Sequence, residues 1–419
     1  MKAGRRDNPR IAVIGAGAAG TMAAIFAAAS GADTLLLERT GDGGRKILIS
    51  GGGRCNILPA VLDESRFVSD SSPHTLRKMV RSWPLREQIA FFEREAGIPL
   101  VEESASSKLF PASQSARDVR DRMYALARAR GVSMLTNAQV VDFAPDGHGW
   151  RIELEGRDPL RADILIVAAG GLSIPRTGSD GRLLQVLARL RHAIHPTYPA
   201  LTPIVAAPSP FGALAGVSLP VTVAARSATR SSTASGGFLF THGGYSGPSV
   251  LDVSHVAVRS LEEDRRATLT VRWSDRDAAA WTSALKPQGT RTIVSAVSEV
   301  LPHRLADVLI VHAGVDPRVT LATLVRGDRV RVVEALVRCE LPWTGPTVAE
   351  GYKKAEVTGG GVALGEIDPQ TMESRRAPRL FLCGEILDAF GPIGGYNFFW
   401  AWATGRAAGR AAAEAARLL

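Results

Sequence analysis

The sequence predicts an α/β fold with a Rossmann-type domain that is discontinuous along the chain. Residues 11–38 show the strand, glycine turn, helix and second strand of a βαβ unit. Two further apolar strands, at 163–171 and 380–385, run into glycines as strands of a parallel sheet do. Between them, residues 195–344 change to short alternating strands followed by helical segments. We therefore expect an inserted antiparallel β unit and a small helical bundle.

This organisation divides the 419 residues into three predicted domains. Residues 1–194 and 345–419 form the Rossmann-type domain, 195–275 an inserted β-rich domain, and 276–344 an inserted helical domain. Prolines become frequent from about residue 195, where the short alternating strands of the insertion begin.

The first βαβ unit carries a dinucleotide-binding fingerprint. An apolar strand precedes a Gly-x-Gly-x-x-Gly turn, and the next strand ends at an acid, Glu38. Gly15 permits the tight turn, Gly17 lets the backbone approach a pyrophosphate, and Gly20 lets helix and strand pack closely. Helix N–H groups and the helix dipole would hold the phosphates, and Glu38 would accept hydrogen bonds from the ribose. The predicted contacts are Gly15, Ala16, Gly17, Ala18, Ala19 and Gly20, with Glu38 and Arg39.

Residues 41–56 contain six glycines, which predicts irregular structure rather than a helix or strand. A loop running along a bound cofactor would place Arg45, Lys46 and Arg54 against anionic groups. A flexible surface loop is the alternative. The apolar residues 47–49 argue against it, because they would anchor the loop to a core.

The end of the chain offers a second place for anionic atoms. Residues 391–397 form a glycine-rich turn that opens a long helix, predicted from Phe398 to Leu418. The preceding strand ends at Glu385, an acid at the carboxyl edge of the sheet, where ligands of such folds bind. Gly170, after the strand at 163–171, is expected to lie at the same edge.

Composition leaves the class of partner open. A net charge of +9 is compatible with polyanionic partners, nucleic acid among them, although arginines scattered over solvated faces are the favoured explanation. Cys55, Cys339 and Cys383 show no CxxC and no metal-ligand spacing, which predicts no metal site and a reducing, cytoplasmic location. No apolar run reaches the roughly 20 residues that cross a bilayer, so we expect no membrane span.

Six motifs together resemble the BaiN/YhiN-type family of NAD(P)/FAD-dependent flavoprotein oxidoreductases. They lie at 15–20, 44–56, 240–248, 356–360, 371–374 and 383–388. The resemblance implies FAD bound by the discontinuous Rossmann-type domain, with the β-rich and helical insertions covering the flavin.

The resemblance also implies further cofactor contacts. Glu385 stands where many such flavoproteins have an Asp that binds the ribitol, and the helix end at 394–397 would face the pyrimidine edge of the flavin. There the helix dipole would stabilise the charge of the reduced flavin. The implied residues are Arg45, Lys46, Arg54, Cys55, Asn56, Val140, Gly170, Glu385, Gly394, Gly395, Tyr396 and Asn397.

The implied activity is an NAD(P)H-linked reductase that delivers hydride from flavin N5 to an activated C=C bond. Members of the family resemble reductases of steroid-like enones, and others are linked to the reduction of uridine in ribosomal RNA. Tyr396 and His242 are the candidate proton donors, with Cys55 a weaker one. Because no second Gly-x-Gly-x-x-Gly lies in a βαβ context, NAD(P)H is expected to bind only transiently.

Two alternatives remain open. The first is an RNA-modifying flavoenzyme that reduces uridine to dihydrouridine in ribosomal RNA. The net positive charge and a set of arginines favour it. Those arginines are Arg226, Arg230, Arg326, Arg329 and Arg331. The second is a non-catalytic redox sensor that binds flavin to set a conformation.

Overall fold

Helices and strands alternate through the first part of the chain and return near its end. The structure, a computed structural model, describes residues 10–104, 106–263, 265–346 and 351–419. Contacts divide it into one unit of residues up to 197 together with 357–419, and a second unit of residues 198–356. The first unit therefore resumes at 357, where the sequence predicts 345.

The first unit contains these elements in chain order: β1 (Arg10–Ile14), α1 (Ala18–Ala28), β2 (Asp33–Leu37), α2 (Arg45–Ile49), β3 (Leu58–Pro59), α3 (Pro73–Val80), α4 (Leu85–Ala90), β4 (Leu100–Glu103), β5 (Lys108–Pro111), α5 (Ala116–Ala129), β6 (Ser133–Leu135), β7 (Val140–Asp146), β8 (Gly149–Leu154), β9 (Arg157–Ala162), β10 (Ile164–Val167), α6 (Arg182–Arg189) and β11 (Ile194–Ala200), whose last residues belong to the second unit.

The second unit continues with β12 (Ile204–Val205), β13 (Ser218–Arg226), β14 (Ser231–Thr241), β15 (Gly244–Ser246), α7 (Pro248–Arg259), β16 (Thr268–Arg272), α8 (Ala278–Ala284), α9 (Ile293–Val297), α10 (His303–His312), α11 (Arg326–Val337) and β17 (Cys339–Glu340). The chain then returns to the first unit with β18 (Val357–Val362), β19 (Leu380–Leu382) and α12 (Tyr396–Ala416).

A five-stranded parallel sheet with the order β19-β10-β1-β2-β6 forms the centre of the first unit. Ile14 lies opposite Leu37 on one side and Val167 on the other, so three strands end at the same edge. The apolar residues of β1 and β10 are buried on both faces, as the runs of Ile, Val and Leu predict. The predicted α/β fold with a Rossmann-type domain is confirmed.

Small residues bring α1 and α12 into direct backbone contact. A Cβ atom on Gly405 would overlap the carbonyl oxygen of Ala19, and one on Gly409 would overlap that of Ala23. From the first contact to the second, the residue number rises by four on both helices, so α1 and α12 run in the same direction. Alanine and glycine are required here because any larger side chain would push the helices apart.

The glycine-rich segment 41–56 differs from its prediction. Arg45–Ile49 form the short helix α2, and Ser50–Gly53 form a turn of 3₁₀ helix, so the expectation of irregular structure is wrong. The glycines flank α2 rather than interrupt it, and Gly44, Gly51 and Gly52 take positive φ values of 63°, 55° and 67°. Burial of Ile47 anchors the segment to the core.

The second unit combines a six-stranded antiparallel sheet, β12-β15-β14-β13-β16-β17, with helices. Its sheet residues Val223 and Val271 belong to the same hydrophobic core as Trp281 and Leu309 of the helices. The predicted division of the insertion into a β-rich domain, 195–275, and a helical domain, 276–344, stays a prediction. In the described part of the chain, no helix has the length and hydropathy that a bilayer crossing requires.

The contact between α1 and α12 predicts a strong penalty for Gly409→Val. Overpacking against the Ala23 backbone should lower the free energy of unfolding by about 2 kcal/mol, measured by urea denaturation. Gly365→Val is the matched control, because a Cβ on that exposed glycine would meet no atom within 4 Å, and its effect should stay within about 0.5 kcal/mol. Equal stability of both variants would refute the close contact.

Candidate dinucleotide-binding site

The N-terminus of α1 is open toward solvent and has no side-chain cap. A Cβ on Gly15 would lie 2.6 Å from the carbonyl oxygen of Ala168, and one on Gly20 would overlap the Gly15 carbonyl oxygen, so both positions admit only glycine. Gly17 precedes the helix, and a Cβ there would meet no atom within 4 Å. The first-turn N–H groups, which have no partner within the helix, face this space and can bind an anionic group.

Glu38 connects the end of β2 to the glycine turn. Its Oε2 accepts a hydrogen bond from the Ala16 N–H (2.9 Å), and its Oε1 accepts from the Thr40 N–H (2.8 Å) and Oγ1 (2.7 Å). The Tyr124 hydroxyl donates to the Ala16 carbonyl (2.8 Å) from the other side. A carboxylate has lone-pair capacity beyond these bonds, so Glu38 can still accept from a hydroxyl group. Its contact with a ribose stays a prediction.

A half-buried ion pair lies close to the first turn of α1. The Lys46 ammonium contacts Glu385 Oε2 (2.5 Å), and Glu385 Oε1 accepts from Ser173 Oγ (2.7 Å) and the Thr358 N–H (2.9 Å). Burial raises the pKa of Glu385, but Lys46 and these donors outweigh it and hold the pKa below its usual value. The carboxyl group is therefore ionised, and three donors of the protein bind it.

The backbone of Gly384 links this ion pair to both helices. A Cβ on Gly384 would lie 2.7 Å from the Cβ of Ala19. The Gly384 N–H donates to Thr404 Oγ1 (3.0 Å), and its carbonyl accepts from the Trp400 indole N–H (3.1 Å). Residues of α12 thus position the end of β19 beside the N-terminus of α1.

The N-terminus of α12 is a second open helix end. Gly395 precedes the helix with a φ of 90°, and it too lacks a side-chain cap. With its amide oriented to match both neighbours, Asn56 accepts from the Gly395 N–H (2.9 Å) and donates to the Leu58 carbonyl (3.1 Å). Asn397 exchanges two hydrogen bonds with the Gly391 backbone, each 2.9 Å long. Two side chains therefore hold the glycine turn in place.

The two helix N-termini point the same way but do not lie side by side. Ala19, in the first turn of α1, contacts Gly405, which is nine residues into α12. Ala19 is itself one residue into α1, so at 1.5 Å per residue the N-terminus of α12 extends about 12 Å beyond that of α1. The structure thus presents two positive helix ends that face the same direction, separated along it by a distance that an extended dinucleotide can span.

The remaining predicted residues occupy varied surroundings. Arg39 contacts the Gly178 carbonyl (2.8 Å) and Asp180 (2.9 Å), Arg45 pairs with Asp42 (2.8 Å), and Arg54 pairs with Glu103 (3.0 Å). Val140 begins β7, and Gly170 follows β10 with a φ of 74°. Their contacts with a cofactor stay predictions.

The candidate proton donors differ in accessibility. The Tyr396 hydroxyl accepts from the Asp63 N–H (3.1 Å) and donates to the Val61 carbonyl (3.4 Å). His242 is exposed in the turn between β14 and β15 of the second unit. Cys55 is completely buried, and burial raises the pKa of its thiol to about 12, which makes it a poor acid at neutral pH.

Sequence reasoning missed the residues that hold Glu385. Thr358 Oγ1 accepts from the N–H groups of Leu172 (2.7 Å) and Ser173 (3.0 Å). The sequence contains a signal for both residues: Thr358 lies within one of the six motifs, and Ser173 closely follows the glycines after β10. Across the described ranges, no group of three His, Cys, Asp or Glu side chains could hold a metal ion.

The ion pair predicts that Lys46→Met destabilises the protein. Loss of the ammonium leaves the Glu385 carboxylate without its cation, which should cost about 2 kcal/mol in the free energy of unfolding, since both side chains keep some exposure. The double variant Lys46→Met/Glu385→Gln should recover at least half of that loss, because an amide oxygen still accepts from Ser173 and Thr358. A double variant less stable than the single one would contradict this account.

Comparisons with known proteins agree with the motifs. The chain matches the family described as "HI0933-like protein Rossmann domain" over residues 9–411. It is 31% identical to a 3-dehydro-bile acid delta(4,6)-reductase of Clostridium scindens, over 97% of this chain and 99% of the relative. It is 30% identical to a ribosomal RNA dihydrouridine synthase of Escherichia coli, over 94% of this chain and 95% of the relative.

A solved structure shares the fold. The open conformation of a flavocytochrome c3 fumarate reductase aligns with a TM-score of 0.50 and 16% identity, covering 99% of this chain and 79% of that one. The resemblance drawn from the motifs is confirmed, and the chain belongs to the HI0933-like, or BaiN/YhiN-type, family of FAD-dependent flavoprotein oxidoreductases.

Proposed function

We propose that the protein is a reductase that saturates a C=C bond conjugated with a carbonyl group, with FAD as its resident cofactor and NAD(P)H as the electron donor. The observation that carries the proposal is the pair of uncapped helix N-termini, offset by about 12 Å along one direction. One helix end suits the pyrophosphate of FAD, and the other suits the electron-rich edge of its ring.

The residues present fit this cofactor. The space over Gly17 admits a pyrophosphate against the first-turn N–H groups of α1, and Glu38 has capacity for a ribose hydroxyl. Asn56 and Asn397 hold the glycine turn at 391–395, and no side chain caps the first N–H groups of α12. When bound, FAD supplies a hydride at N5. The protein supplies position and a fixed positive potential.

A proton must also reach the carbon next to the one that accepts the hydride. Tyr396 is the first candidate, because it begins α12 and, among the residues that the structure describes, its hydroxyl is bonded only to the backbone at 61 and 63. His242, exposed on the second unit, is the second candidate. Tyr396→Phe or His242→Gln that retains FAD and full turnover would exclude that residue as the donor.

The names of two relatives describe one class of reaction on different substrates. A 3-dehydro-bile acid with a Δ4 double bond and a uridine both contain a C=C bond conjugated with a carbonyl group. Because the two relatives are 31% and 30% identical to this chain, the overall likeness does not favour either substrate. The proposal therefore states the reaction class and leaves a small enone and ribosomal RNA as the two substrate types.

Reduction of uridine in ribosomal RNA is the second candidate function, and the net positive charge of the protein favours it. The net charge is +9. Within the described ranges Arg226, Arg326 and Arg329 form no ion pair, whereas Arg230 pairs with Glu263 (3.2 Å) and Arg331 with Asp328 (2.7 Å). Unpaired arginines can contact phosphates, and such binding weakens steeply with added salt.

Anaerobic titration tests the proposed reaction. The FAD-loaded protein should lose its oxidised-flavin absorbance on addition of NADH or NADPH and regain it on addition of a conjugated enone or a ribosomal RNA fragment. Reoxidation by only one of these identifies the substrate type. Reduction by neither nicotinamide would contradict the proposed donor. Absence of steady NAD(P)H consumption with either substrate would favour a redox sensor.

Gly17→Ala should separate cofactor binding from folding. The φ of Gly17 is −79° and a Cβ there meets no protein atom, so the variant without cofactor should keep the melting temperature of the wild type. A methyl group in the path of the pyrophosphate should weaken FAD binding at least about tenfold, or 1.4 kcal/mol. Fluorescence titration measures the affinity, with Gly365→Ala as control. Unchanged affinity would place the phosphates elsewhere.

A further inference from the structure

Lys108 lies against the glycine turn that precedes α12. It is the first residue of β5 and pairs with Pro59 of β3. A Cβ on Gly395 would lie 2.7 Å from the Pro59 nitrogen, so the turn packs directly on β3. The Lys108 Cε lies 3.7 Å from the position of a Cβ on Gly394. The ladder between β3 and β5 therefore places this side chain beside the open end of α12.

Among the described residues, no carboxylate oxygen lies within 4.0 Å of the Lys108 ammonium nitrogen. Glu103 lies opposite Lys108 on β4, but its carboxylate binds the Arg54 guanidinium (3.0 Å) and the Ser106 hydroxyl (2.5 Å). The Arg66 guanidinium lies over the Tyr396 ring, 5.4 Å from its centre. Ser106, Arg54 and, more weakly, Lys108 lower the pKa of Glu103, so this carboxylate offsets only part of the Lys108 charge. The remainder adds to the positive potential of the helix end.

We propose that Lys108 raises the reduction potential of the flavin by stabilising the negative charge that the ring gains on reduction. The inference rests on the proposed function, in which the electron-rich edge of the ring, with its N1 and C2 carbonyl, would face the N-terminus of α12. Hydride transfer from NAD(P)H to N5 leaves one negative charge on that edge and releases NAD(P)⁺. A cation close to a charge in a partly desolvated site favours the reduced form.

Lys108→Met tests this role in the FAD-loaded protein. We expect about a tenfold smaller equilibrium constant for two-electron reduction, which corresponds to a potential about 30 mV lower, measured by equilibration with a reference dye. Sulfite, which adds to flavin N5 and likewise places negative charge on N1, should bind at least about tenfold more weakly. Neither readout depends on turnover.

Three control variants distinguish charge from packing. Lys108→Arg keeps the charge and should retain the wild-type potential, whereas Lys108→Gln removes the charge but keeps a polar side chain and should match Lys108→Met. Lys78→Met removes an exposed lysine of α3 and should change neither readout.

The outcomes separate this inference from the proposed function. Wild-type potential and sulfite affinity in Lys108→Met or Lys108→Gln would overturn the role of Lys108 while leaving FAD binding intact. A wild-type protein that takes up no FAD would overturn the proposed function itself.

Discussion

The close contact between α1 and α12 is the constraint on which the candidate site depends. Gly405 and Gly409 let the backbones meet at Ala19 and Ala23, which sets the separation, the parallel direction and the offset of the two helices. Thr404 and Trp400 of α12 then bind the backbone of Gly384 and position the end of β19. A single packing interface thus arranges two helix N-termini that lie almost 380 residues apart in sequence.

The arrangement of the two helices determines the electrostatic potential of the candidate site. Both helix ends lack side-chain caps, so their N–H groups keep a positive potential that the fold does not neutralise. Close to the first helix end, the negative charge of Glu385 is balanced by Lys46, and it therefore does not oppose an incoming phosphate. An unbalanced carboxylate in that position would weaken the binding of any anion.

The sequence predicts the parallel sheet, the fingerprint and both glycine-bearing helix ends because each depends on local patterns of apolar residues and glycines. The helix at Arg45–Ile49 was missed, since flanking glycines obscure five residues that are compatible with a helix. The pairing of Lys46 with Glu385 and the bond from Gly395 to Asn56 join residues about 340 positions apart, and no local pattern specifies such contacts. Lys108 lies outside every motif, and only the pairing of β3 with β5 shows that it lies beside the N-terminus of α12.

The central claim is that one FAD molecule spans both helix N-termini. A crystal structure of the protein with bound FAD tests it most directly. The account predicts pyrophosphate oxygens within hydrogen-bond distance of the N–H groups that follow Gly17, and the N1 and C2-carbonyl edge of the ring at the N-terminus of α12. A flavin whose phosphates or ring lie away from either helix end would contradict it.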